Sequence, residues 1–184
     1  QADLLLLRGL IADRGELIQR LQTVNYYRLS GYLYPFRKSD TSFHTETTLS
    51  KVWHHYIFDR QLRISVMDAI ERVEVAVRTH LAYHFARTYD PFAYTNYSTF
   101  QFLSPDSHQR WLSELVDEVN RSNEEFIARF FTKHNEHSYL PIWMLTEVMS
   151  FGKTLTFYRG VGKEIKKNVA KPFGVHFAVF ESWL

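Results

Sequence analysis

The sequence predicts an all-α protein: a bundle of five to seven helices around one long central helix. Three observations predict it. Residues 51–87 contain neither Gly nor Pro, the two residues that punctuate helices. Apolar residues elsewhere recur at helical spacing behind recognisable caps. Strand signals are weak throughout, and only residues 32–43 suit a small hairpin.

The long segment comes first. At about 100° per residue, Leu62, Val66, Ile70, Val73, Val77 and Leu81 fall on one stripe. Val75, Ile64 and Ile57 fall nearly opposite. A helix apolar on most of its circumference is expected to be buried at the centre of the fold. Its charges then need partners, because an unpaired buried charge is very costly. Arg60, Glu71, Glu74 and Arg78 share a narrow strip, and Arg60 and Arg63 flank the turn that holds Asp59. Glu74 and Arg78 are spaced i, i+4 in the favourable acid-first order, so they should be half-buried or buried and paired. The strip reads either as a structural ion-pair ladder or as a site for an anion such as an RNA phosphate.

The other elements follow in order. Residues 2–8 read as a short helix stopped by Gly9. Asp13 with Glu16 resembles a capping box before Leu17, Ile18 and Leu21. Residues 25–38, NYYRLSGYLYPFRK, hold five aromatic rings with Arg28, Arg37 and Lys38 among them, and Gly31 and Pro35 suggest an irregular segment. Residues 39–48 are polar and read as a loop, and the long helix ends near Tyr89, Asp90 and Pro91. Ser104 and Pro105 open a helix with Trp111, Leu112, Leu115, Val116 and Val119 on its inner face. Ser122 with Glu125 has the form of a capping box before Phe126, Ile127, Phe130 and Phe131. Pro141 opens a helix that should run through Gly152 to Gly160. The last segment is basic in its first half, at Lys163, Lys166, Lys167 and Lys171.

Composition bounds the function. The chain has 184 residues, 45% hydrophobic and 23% charged, which suits one helical domain over 1–184 with a real core. The apolar pattern runs into both ends, which predicts that each is cut from something longer. A net charge of +2 gives no strong field toward nucleic acid. The absence of Cys removes disulfides and a thiol nucleophile, and a reducing cytoplasm is the simplest compartment. No apolar run approaches the ~20 residues of a membrane span. No glycine-rich phosphate loop, zinc-binding H-E-x-x-H pair or serine elbow is present, so neither a cofactor nor a metal is expected.

Two features could still carry chemistry. Aromatic rings interleaved with cations can stack bases while the cations hold phosphates. On that reading Tyr27, Arg28, Arg37 and Lys38 bind RNA, assisted by Lys166 and Lys167; alternatively the rings of residues 25–38 fill the core. The other feature is Arg78 with His84. A histidine can move a 2'-hydroxyl proton near neutral pH, and an arginine can hold the phosphate charge that grows in the transition state. Six residues of helix turn these two side chains about 120° apart, which favours a packing role for His84.

The motifs RGL at 8–10, NYYRLSGYLYPF at 25–36, FDRQLR at 58–63, IERVEVAVRTHLAYHFA at 70–86 and LPIWMLTEVMSFG at 140–152 occur in one order over almost the whole chain. In these the chain resembles the abortive-infection family of bacterial anti-phage proteins, the AbiD/AbiF type. The resemblance implies a helical fold related to the HEPN nucleases and RNA-binding domains. It also implies a role in phage defence, either by acting on RNA or as a toxin-like growth arrester. No small-molecule cofactor is expected, whereas a homodimer that brings two catalytic elements together is. The HEPN signature is an arginine, four to six intervening residues, then a histidine, and Arg78 to His84, with five residues between, fits it. Family members usually carry a fuller Arg-Asn-to-His element just beyond a segment like Ser182, Trp183 and Leu184. The main catalytic element is therefore expected after Leu184. A non-catalytic RNA-binding or protein-interaction module is the alternative.

Overall fold

A computed structural model describes residues 1–184. The protein is all-α, with no strand; the region expected to hold a hairpin has a single antiparallel bridge, Arg37 to Phe43. Ten α-helices form rather than five to seven: α1 Ala2–Leu7, α2 Arg14–Val24, α3 Tyr26–Leu33, α4 Leu49–Thr88, α5 Pro105–Arg121, α6 Glu125–Lys133, α7 Ile142–Val148, α8 Phe151–Gly160, α9 Lys163–Ala170 and α10 Phe177–Trp183. The surplus comes from breaks. The helix expected after Pro141 is two, because Met149 takes an extended conformation and Ser150 starts α8.

The caps explain most of the boundaries. Asp13 accepts a hydrogen bond from the Glu16 amide and starts α2. Ser104 does the same for Ser107, with Pro105 at the first helical position. Ser122 departs from expectation: its hydroxyl accepts from the Glu124 amide, and α6 begins at Glu125 without a side-chain cap. Asn25 is the sharpest corner. It ends α2 and caps α3 at φ 64°, accepting from the Tyr27 amide. Asn tolerates this positive φ better than most residues.

The chain divides into two compact units, Gln1–Ala69 and Ile70–Leu184. In the first, Leu5, Leu10, Leu17, Leu29, Leu33, Phe43, Leu49 and Val52 form the core. In the second, Val77, Leu81 and Phe85 of α4 pack with Trp111, Leu115, Ile142, Phe157 and Tyr158, all at most 2% exposed. Phe85, Phe100, Trp111 and Phe157 form an aromatic cluster whose ring centroids are 4.9–6.2 Å apart.

The expectation of a buried α4 fails in its middle. Every residue from 61 to 72 is exposed, including Leu62, Ile64, Val66, Met67 and Ile70. Val75 is exposed too, and burial is complete only from Val77 onward along the stripe. Periodicity sets which residues share a face; it does not supply a neighbour to cover that face.

Candidate nucleic-acid interface

α3 sorts its aromatic residues by helical position. Leu29 and Leu33 are buried, and Tyr26, Tyr32 and Phe36 pack half-buried against the core of the first unit. Tyr32 lies edge-on to Tyr56 and donates its hydroxyl to Asp59, which also pairs with Arg63 at 2.9 Å. The bond to Asp59 raises the Tyr32 hydroxyl above its ordinary value. Phe36 meets His55 edge to face.

Tyr27 and Tyr34 point outward, 86% and 73% exposed. They are seven residues apart, two helical turns, with Gly31 midway and no side chain there to cover the surface. Arg28 is exposed beside Tyr27. Beyond Tyr34 the chain turns through residues 37–43. Lys38 donates its amide to the Ser42 carbonyl, and Asp40 accepts from both the amide and hydroxyl of Ser42. Those hydrogen bonds hold the Asp40 carboxyl below its ordinary value. Tyr34, Pro35, Arg37, Lys38, Ser39 and Thr41 line an open cleft there. The result is a surface of two bare rings flanked by Arg28, Arg37 and Lys38, with Asp40 as the nearby opposing charge.

The two C-terminal lysines differ from each other. Lys166 is 5% exposed, bonds Glu181 at 2.9 Å and lies over the Phe102 ring, so it does not face solvent. Lys167 is exposed and pairs with Glu164 at 2.7 Å.

Arg78 and His84 do not converge. Arg78 bonds Glu74 and the Met149 carbonyl, both at 2.5 Å, and its Nε is buried without a partner. This is structural use: it ties α4 to the end of α7, where the break before α8 leaves a free carbonyl. Arg60 and Glu71 of the same strip are exposed.

His84 instead stands among residues of its own face. Its ring stacks with His80 at 6.2 Å and meets Tyr83 edge-on at 5.0 Å, while Arg87 donates to the Tyr83 hydroxyl at 3.1 Å. Burial, followed by the charges of His80 and Arg87, holds His84 below its ordinary value. Its imidazole is thereby biased toward the neutral, proton-accepting form. An adjoining groove is lined by Tyr83, Arg87, Trp143, Thr146 and Glu147, over Ala82 and Ala86, and Trp143 is half exposed. His80 and Arg87 were missed in the sequence. Their spacing of i−4 and i+3 from His84 would have found them.

No helix is long and apolar enough to cross a membrane. No curated protein and no solved structure matches the chain. Residues 19–184 match the family described as Abi-like protein, a span that begins in α2 and takes in both the tyrosine surface of α3 and the His84 cluster. The chain belongs to the Abi-like protein family, which suggests a part in abortive-infection defence.

Proposed function

We propose that the protein serves abortive infection in the bacterial cytoplasm by binding RNA, with a second copy of itself as partner. The observation that carries the RNA reading is the pair of bare rings, Tyr27 and Tyr34, flanked by Arg28 and Lys38. Two large rings two helical turns apart on one face, with only Gly31 between them, form an open platform. Bases stack on them regardless of sequence, and the neighbouring cations hold the backbone. A single-stranded segment suits this surface, since its bases are free to stack.

The test is binding of a fluorescent single-stranded RNA. Replacing Tyr27 and Tyr34 together by Ala should weaken binding by on the order of tenfold or more. The melting temperature should hold, because neither ring belongs to the core. Arg28→Ala or Lys38→Ala should flatten the salt dependence, as each removes a phosphate contact. Unaltered affinity in the double tyrosine variant would end this reading.

The His84 cluster favours a second reading, metal-independent RNA cleavage. A neutral His84 takes the 2'-hydroxyl proton, and His80, stacked beside it, is placed to pass a proton to the leaving 5'-oxygen. Arg87 is the cation on that face, whereas Arg78 supports the helix from its bond to Glu74. Cleavage in chelator that His84→Ala abolishes while the fold stays intact supports this reading; no cleavage in chelator leaves RNA binding alone.

A further inference from the structure

The groove beside His84 is made by two helices that each present an aromatic ring and a charge. On α4, Tyr83 and Arg87 lie one turn apart, and on α7, Trp143 and Glu147 do. Ala82 and Ala86 form a floor too short to fill the space between them. The groove holds about 500 Å³, inside the range of small-ligand sites. All of its lining belongs to the second compact unit.

The two helices run antiparallel. Arg78 bonds the Met149 carbonyl at one end, and the Ile142 amide bonds the Pro91 carbonyl at the other. Arg87 therefore lies toward the Trp143 end of the groove and Glu147 toward the Thr79 end. Arg87 donates to the Tyr83 hydroxyl rather than to Glu147. The Glu147 carboxylate is exposed and left open to a ligand.

Each wall narrows what fits. Trp143 and Tyr83 are 52% and 56% exposed over the alanine floor, which suits a flat ring able to stack. Arg87 suits a phosphate. Glu147 is the discriminating group. A carboxylate repels the phosphate backbone, so toward RNA its use is to read a base edge. It only accepts hydrogen bonds, through two oxygens. A base that satisfies both must offer two adjacent donors. Among the RNA bases guanine alone does, with N1–H and the N2 amino group on its Watson–Crick edge. Adenine and cytosine set one amino group beside a ring acceptor, and uracil sets one N–H between two carbonyls. Residues one turn apart have Cβ atoms about 5–6 Å from each other, so a base stacked on Trp143 can bring its edge to Glu147.

We infer that this groove takes a guanine base of single-stranded RNA, stacked on Trp143 and read by Glu147, with Arg87 on its phosphate. This rests on the RNA reading above and adds a base preference. The α3 surface supplies none, because stacking on Tyr27 and Tyr34 is blind to sequence. Arg87 is also the cation of the His84 face, so any cleavage there should fall beside guanine.

The test compares fluorescent RNA pentamers that differ only at the central base: UUGUU, UUAUU, UUCUU and UUUUU. The protein should bind UUGUU roughly tenfold more tightly than the other three. Glu147→Gln sets an amide donor against the guanine donors and should erase that ratio. Trp143→Ala should weaken UUGUU by roughly tenfold. Inosine at the central position lacks the N2 amino group and should keep only part of the preference. Both side chains are exposed, so the melting temperature should hold in each variant. Equal affinity of the wild type for all four pentamers would overturn the inference and leave the RNA reading standing. A guanine preference that survives Glu147→Gln would reject this groove, and a preference for another base would reject the guanine assignment. GTP binding more tightly than UUGUU would make the ligand a free nucleotide and overturn the RNA assignment. No binding of any pentamer would reject the RNA reading and this inference with it.

Discussion

The two halves of α4 are built from the same kinds of residue and meet opposite fates. Leu62, Val66 and Ile70 continue the stripe that ends in Val77 and Leu81, at the same helical spacing. The first three are 44–49% exposed and the last two are fully buried. The charges split in the same way. Arg78 and Glu74 are about one-fifth to one-quarter exposed and locked together, whereas Arg60 and Glu71 lie free at the surface. What differs is the surroundings. From Val77 onward α4 is packed against α5, α7 and α8 residues such as Trp111, Ile142 and Phe157, and no such elements cover residues 61–72. An apolar stripe thus serves two purposes on one helix: folding energy at one end and an unmet surface at the other.

The largest effects should come from the buried half. Phe85→Ala removes a fully buried ring from contact with Phe100 and Phe157, and should cost about 3–5 kcal/mol in urea unfolding. A cost near 1 kcal/mol or less would break the contrast, because it would mean that this half is no better packed than the other. Glu74→Ala comes next. It leaves Arg78 half-buried with only the Met149 carbonyl, and should cost about 2 kcal/mol, less than a fully buried pair would lose. Arg60→Ala, on the same strip but exposed, should be close to neutral at low protein concentration.

Leu62→Ala sharpens the comparison. At high dilution it should change unfolding by less than about 0.5 kcal/mol. A cost of about 2 kcal/mol or more would place Leu62 in an intrachain core instead.

The smallest effect concerns pH. His84 is held below its ordinary value of 6.5, so on acidification the unfolded chain takes up this proton first. The contribution from neutral His84 is present above 6.5 and is lost as pH falls from there toward the lower folded value. Urea midpoints between about pH 7 and pH 5 should therefore fall more steeply for wild type than for His84→Gln. Parallel slopes would show that neither burial nor the charges of His80 and Arg87 bear on this ring.

Local rules in the sequence were enough for several features. Asp13 and Ser104 start their helices because a side-chain oxygen three residues ahead of an amide can reach it whatever surrounds them. Glu74 finds Arg78 because one helical turn brings them together. The all-α class and the family motifs are legible for the same reason: each is written within a few turns of chain. The long-range decisions were not. Ser122 and Glu125 fit the capping-box pattern, yet α6 starts without that cap. The Met149 carbonyl became a partner for Arg78 only because α7 ends there, 71 residues further along the chain. Lys166 reads as one of a row of surface cations, but Glu181 and the Phe102 ring draw it inward. Tyr27 and Tyr32 belong to one motif, and only the packing of α3 sent one to water and the other to Asp59. By itself the sequence determined helices, their caps and their one-turn pairs, since these depend on neighbours within about four residues. Tertiary structure alone decided which apolar face is covered and which cation is free, since burial depends on what the rest of the chain brings alongside.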